Sequence, residues 1–126
     1  MKSAMDLVAA AKAGIHEIGV EQSQTAVQQA DLVIDVREAE EYAQGHIPGA
    51  VHMSRGMLEF KLASQPAYQP RDLRIVLYCK TSGRAALSAQ SLQAMGYMNV
   101  QSIAGGFDAW SAAGLPVAKP EAPSFG

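Results

Sequence analysis

The one cysteine of the chain, Cys79, ends an apolar run and opens the hexapeptide Cys79-Lys80-Thr81-Ser82-Gly83-Arg84. A thiolate is a strong nucleophile near neutral pH, and its reactivity depends on what stabilises its charge. The residues behind Cys79 are mostly small, so their backbone N–H groups can turn inward around an anion. Lys80 and Arg84 add positive charge, and a helix starting at Gly83 adds the positive end of its dipole. All of these favour the thiolate, and the same cradle would bind an oxyanion or stabilise a persulfide. A lone cysteine is more often a small buried hydrophobe, but a strand-end position before a small-residue loop, two cations and a long helix favours a functional thiolate.

Several elements must hold that loop. Ile75-Val76-Leu77, within a strand read over 74–78, runs without alternation into Cys79, the pattern of a strand covered on both faces of a parallel sheet. Leu32-Val33-Ile34, closed by Asp35, shows the same pattern. Residues 83–95 place Ala86, Leu87, Leu92 and Met95 on one helical face and stop at Gly96. A first strand is expected over 15–18, a polar helix over 21–29, and a short helix over 38–44 ended by Gly45. In Ile47-Pro48-Gly49-Ala50 the Pro-Gly pair fits the centre of a type II turn. A three-residue strand over 51–53 should follow, then a helix through Met57, Leu58 and Leu62 with Ser54 as its cap. Val100 and Ile103 mark the last strand, and Gly105-Gly106 opens a last helix closed by Gly114. Strands alternating with helices predict an α/β fold with a parallel sheet covered on both sides, whose sites lie at the carboxyl ends of the strands.

The chain has 126 residues, one domain's worth. Leu7, Val8 and Ala11 predict a helix in the first thirteen residues, with Gly14 just past its end. The division read from the sequence is therefore an N-terminal helical extension over 1–14, the main domain over 15–118 and a flexible Pro-rich tail over 119–126. Asp6 and Lys12 interrupt the opening apolar run, so it does not read as a signal peptide, and no stretch reaches the roughly 18 apolar residues of a membrane span. Ten Lys and Arg against twelve Asp and Glu give a net charge of −2, which offers no field for nucleic acid or an anionic bilayer. One cysteine forms no internal disulfide, which suits a reducing cytoplasm.

Four motifs in register resemble the rhodanese family, specifically its single-domain members. They are Asp35-Val36-Arg37-Glu38 with Tyr42; Gly45-His46-Ile47-Pro48-Gly49-Ala50; Val76-Leu77-Tyr78-Cys79 with Arg84; and Gly105-Gly106-Phe107-x-Ala109-Trp110 with Gly114-Leu115-Pro116-Val117. The stretch Arg55-Gly56-Met57-Leu58-Glu59-Phe60 is similar to a subgroup of small bacterial rhodaneses that carry an extra N-terminal helix. The resemblance implies a rhodanese-like α/β fold, a five-stranded parallel sheet with helices on both faces. It implies a sulfurtransferase in which Cys79 takes the outer sulfur of a donor such as thiosulfate and passes it, as a persulfide, to cyanide or a thiol, with Lys80, Thr81, Ser82, Gly83 and Arg84 forming the cradle. A sulfur-accepting protein is a further partner it allows. Phosphatases and arsenate reductases of this fold use five residues between Cys and Arg; four stand here, which favours the smaller sulfur. Two positions depart from the pattern. Ser82 and then Gly83 stand where single-domain relatives place Gly at the fourth loop position, so the site of easy positive φ would shift to Gly83. Glu41 stands where the tandem-domain thiosulfate enzymes carry a cation, which implies a weaker hold on thiosulfate unless Lys80, Arg84 and Arg55 compensate.

The remaining candidates read as support. Asp35, at a strand end, suits accepting loop N–H groups or pairing with Arg37 more than proton transfer. Arg37 reads as an organiser of Asp35, Glu38 or nearby carbonyls, and Arg55 as a pocket-mouth candidate against a solvated surface arginine. His46, before the Pro-Gly turn, reads as structural, and an already ionised thiol needs no separate base. His16 and His52 lack partners at ligand spacing, so no metal or cofactor is expected. Phe107 and Trp110 read as core. Two rivals stay open beside sulfur transfer with small molecules: a relay or binding module that works only on a partner protein, and a phosphatase or arsenate reductase.

Overall fold

The computed structural model describes residues 1–120. In chain order its elements are α1 (Ala4–Gly14), β1 (His16–Ile18), α2 (Val20–Gln29), β2 (Leu32–Asp35), α3 (Ala39–Gln44), β3 (Val51–His52), α4 (Leu58–Ser64), β4 (Arg74–Tyr78), α5 (Gly83–Ala94), β5 (Asn99–Ile103) and α6 (Gly106–Ala112). The five strands form one parallel sheet in the order β1-β5-β4-β2-β3. The two uninterrupted apolar runs occupy β4, at the centre, and its neighbour β2, in a register that sets Ile34 beside Leu77 and Asp35 beside Tyr78. Every residue of β2 is buried, as a run without alternation requires.

Alternating side chains divide the core between two faces. Ile34, Ile75 and Leu77 join Leu58 and Leu62 of α4 and Leu92 of α5 on one; Val33, Val76, Tyr78 and Ile103 meet Trp110 of α6 on the other. Each large aliphatic side chain so buried contributes about 1.5–3 kcal/mol relative to exposure. A separate small cluster of Val8, Ala11 and Ala86 seats α1 on α5. Ser3 and Asp6 close a capping box at the start of α1, and Gln93 Nε2 donates to the Gly14 carbonyl at its end, 3.0 Å away.

Several expected boundaries move. Gly14 is the last residue of α1 rather than the one beyond it, and β1 starts at His16. Only Val51 and His52 pair as β3, because β2 ends at Asp35; Met53 makes one further bond, its N–H to the Asp35 carbonyl at 3.0 Å. Ser54 does not cap α4. Its carbonyl accepts from Met57 N–H at 2.8 Å in a turn, and the helix starts after Met57 without a side-chain cap. The type II turn forms as expected: Gly49 takes φ +85°, and Ala50 N–H donates to the Ile47 carbonyl at 3.0 Å. The tail read over 119–126 lies outside the described residues beyond Pro120. No described helix is long and apolar enough to cross a membrane.

Candidate active site

β4 delivers Cys79 to the carboxyl end of the sheet, where the chain turns through Lys80, Thr81 and Ser82 into α5. The direction of this loop is set from behind by α6. Phe107 N–H donates to the Cys79 carbonyl at 2.8 Å, and Asp108 N–H donates to the Lys80 carbonyl at 3.0 Å. In a trans peptide the N–H lies opposite its C=O, so the N–H groups of Lys80 and Thr81 point away from α6. Ala85 N–H, in the first turn of α5, donates to Cys79 Sγ at 3.4 Å. Among the described residues, no other loop, cap or side-chain hydrogen bond is donated by the N–H groups of Lys80 through Arg84. The loop is therefore a set of free donors at a helix N-terminus, with sulfur at one end.

Gly106 makes this packing possible. A Cβ there would overlap the carbonyl oxygens of Cys79 and Thr81, and its φ of +55° disfavours any other residue. The positive φ expected to shift to Gly83 does not arise: among Cys79–Arg84 no residue has φ above zero, and Ser82 lies at φ −153°. Cys79 is 1% exposed, whereas Lys80 and Thr81 are exposed.

The loop cations are already paired. Lys80 turns outward to Asp108 at 2.9 Å, instead of into the cradle as expected. Arg84 gives both guanidinium arms to Glu41, at 2.7 and 3.1 Å. This fork, working against partial burial and helped by the Glu38 N–H, holds the Glu41 carboxyl down at about 2. Glu41 thus spends the charge of Arg84 that was expected to offset it. Arg55 is held elsewhere, by Glu59 at 2.9 Å and Ser91 at 3.2 Å. Ser91 is eight residues, or about 12 Å, along α5 from Gly83, so the Arg55 guanidinium is paired there rather than with a residue of the loop.

Asp35 and Arg37 are a buried pair beside the loop, 0% and 4% exposed. Arg37 Nε and Nη2 both reach the carboxylate, Nη2 at 2.7 Å, and Nη2 also donates to the Gly45 carbonyl at 2.6 Å. The guanidinium lies 4.3 Å from the centre of the Phe107 ring. This places both residues in the scaffold that joins β2, α3 and α6. His46 stacks on Tyr42 with ring centres 3.8 Å apart, and the Tyr78 hydroxyl accepts from Ile47 N–H at 3.0 Å, with burial pushing the phenol's pKa up. Two surface cavities lie away from Cys79: one of about 440 Å³ is lined by His16, Ala30, Arg74 and Gln101, and one of about 470 Å³ by His16, Glu21 and Gln101. Backbone amides and paired ions, rather than the lining of an apolar cleft, surround Cys79.

One contact has no counterpart in the sequence reading. Lys12 Nζ of α1 donates to Ser82 Oγ at 2.7 Å. The signal was the spacing of Val8, Ala11 and Lys12, which puts the lysine on the buried stripe of α1.

Residues 20–113 match the Rhodanese-like domain family. A sulfurtransferase of Allochromatium vinosum is 32% identical over 90 residues, covering 71% of this chain and 80% of its own. Among solved structures, the homodimeric polysulfide-sulfur transferase of Wolinella succinogenes superposes with a TM-score of 0.75 at 33% identity, over 90% of this chain and 85% of that one. A Rhodopseudomonas palustris protein of unknown function, called a possible tyrosine phosphatase, superposes with a TM-score of 0.83 at 30% identity, over 94% and 96%. The family match takes in the Cys79 loop, both strands that flank β4 and the α6 turn behind it, and on that ground the chain belongs to the rhodanese-like family.

Proposed function

We propose that this protein is a sulfurtransferase that carries sulfane sulfur on Cys79. The observation that carries the reading is the loop whose carbonyls are drawn back to α6 while Ala85 N–H donates to Cys79 Sγ. The Cys79 thiolate attacks the outer sulfur of a donor such as thiosulfate. The new S–S bond forms as the old one breaks, and sulfite leaves with that electron pair. The outer sulfur of the persulfide then sits among the N–H groups of Lys80, Thr81, Ser82, Gly83 and Arg84, whose dipoles stabilise its charge. Cyanide or a thiolate attacks that sulfur and returns Cys79 as thiolate. The cycle so written moves no proton, since it begins and ends with the thiolate. Asp35 and Arg37 act as scaffold, and the reducing cytoplasm is the compartment this chemistry suits.

Low exposure of Cys79 restricts donors to a slender sulfur end, and pairing of Lys80 and Arg84 weakens the attraction for a free dianion. These two observations favour a second form of the same reading, a relay that passes sulfur to or from a protein partner. The phosphatase reading is disfavoured, since an incoming phosphate dianion would find the Arg84 fork already filled by Glu41.

The test is intact-mass measurement after exposure to thiosulfate, polysulfide or a small persulfide. Wild type should gain one sulfur atom and Cys79→Ser none; a wild-type mass unchanged by every donor overturns the proposal. Rapid turnover with cyanide supports the small-molecule form, and loading without turnover supports the relay. Release of phosphate from an aryl phosphate by a protein that takes up no sulfur would restore the phosphatase reading.

A further inference from the structure

Ser82 is the N-cap residue of α5, yet its hydroxyl makes no cap hydrogen bond. A serine in that position ordinarily accepts from the N–H two or three residues on, here Arg84 or Ala85. Ala85 N–H instead donates to Cys79 Sγ at 3.4 Å, while Ser82 Oγ faces Lys12 Nζ at 2.7 Å. An ammonium group only donates, so in this contact the serine oxygen is the acceptor. Two acceptors are therefore available to one helix-terminal N–H, and the lysine engages the one that is not sulfur.

The packing of α1 on α5 sets Lys12 beside Ser82. Val8 and Ala11 of the same helical stripe are buried against Ala86, with Val8 also 3.5 Å from the position a Cβ would take at Gly83. Glu17 Oε2 lies 3.8 Å from Lys12 Nζ, is buried, and has no hydrogen-bond partner among the described residues, so the ammonium is the charge that balances it. Lys12 also lies outside residues 20–113, the part of the chain that matches the family.

We propose that Lys12 is a positioning residue: by holding the Ser82 hydroxyl turned toward itself, it keeps the side-chain cap from α5 and leaves Ala85 N–H on the Cys79 sulfur. The inference rests on Cys79 being the nucleophile. Without Lys12 the serine is free to cap the helix, and the sulfur loses a donor that stabilises its anion.

A double-mutant cycle tests this with the rate of Cys79 alkylation by iodoacetamide at neutral pH, in the full chain. Lys12→Met should slow alkylation about tenfold or more, the loss of one hydrogen bond to a charged group. Lys12→Arg, which keeps a charged donor, should restore most of the rate. In a Ser82→Ala background, where no hydroxyl competes, Lys12→Met should change the rate less than twofold. An unchanged rate in K12M, or the same loss in both backgrounds, overturns the proposal, the second result showing that the lysine acts through charge or packing alone. If K12M does not fold, Lys12→Leu with and without S82A repeats the comparison. Alkylation needs no sulfur donor, so a wild type that accepts no sulfur defeats the functional reading while leaving this cycle measurable.

Discussion

At the scale of single residues, the charges around Cys79 are arranged in pairs, and each pair has a different cost of disruption. Asp35 and Arg37 are both out of water, so removing one leaves an uncompensated charge in the interior. Arg37→Met is expected to cost about 3–5 kcal/mol in urea denaturation, since the buried carboxylate loses its guanidinium partner while keeping the Arg37 backbone N–H, at 2.9 Å. A loss below about 1 kcal/mol would mean that solvent reaches Asp35. The Glu41 pair is less buried and holds the last residue of the Cys79 loop. Glu41→Gln releases the Arg84 fork from a formal charge, so kcat/KM for thiosulfate should rise severalfold, and that gain should shrink with added salt. No change in kcat/KM would show that Arg84 does not meet the donor. These partners explain what could not be read from the sequence. The thiol and its small-residue loop are contiguous and legible, whereas Asp108, Glu41 and Lys12 reach Lys80, Arg84 and Ser82 across 28, 43 and 70 residues.

At the scale of elements, the site is a meeting of α3, α5 and α6 at the end of β4, and two contacts between them can be tested. Gly106 lets α6 approach the Cys79 loop closely enough for its amides to hold two carbonyls. Gly106→Ala must push the loop away, so sulfur loading should fall by more than tenfold while the sheet still folds; loading at the wild-type rate would show that α6 does not aim the loop. The Glu41–Arg84 bridge ties α3 to α5 and carries a pH signature. The carboxyl is lowered from 4.5 to about 2 in the folded chain, so folded protein binds fewer protons than unfolded protein between those values. The bridge therefore stabilises above about pH 4.5, and its contribution is lost as pH falls toward 2. Melting temperatures of wild type and Glu41→Gln should differ at pH 7 and converge by about pH 2; a gap that persists there would mean the bridge is not the source. The strands and helices themselves were legible where local pattern decides them, as in β2, β4 and α5. The pattern over 51–53 carries β3 one residue beyond its pairing because its end depends on where β2 stops, and Ser54 signals α4 too early because it uses its carbonyl in a turn instead of its hydroxyl in a cap.

At the scale of the whole molecule, stability should be distributed in two tiers. β4 is flanked by strands on both sides and covered by helices on both faces, so its amides exchange only when most of the fold opens. α1 is attached differently: it buries Val8 and Ala11 on one neighbour, α5, and adds the Gln93 bond and the Lys12 contacts, with Met5 and Leu7 left exposed. Burial of one valine and one alanine is worth a few kcal/mol at most, against an ordering cost of about 1–2 kcal/mol per residue, partly offset by the helix's own hydrogen bonds. The helix should therefore open locally while the sheet stays intact. Hydrogen exchange followed by mass spectrometry is expected to show amides of Ala4–Gly14 exchanging at least about tenfold faster than those of Arg74–Tyr78. Val8→Asp should accelerate α1 further and leave β4 unchanged, because the charge meets Ala86 and Gly83 without touching the sheet core. Equal protection in the two segments would make α1 part of the global folding unit. If the difference is found, each opening of α1 also carries Lys12 away from Ser82, so the environment of the thiol is only as steady as the seating of α1.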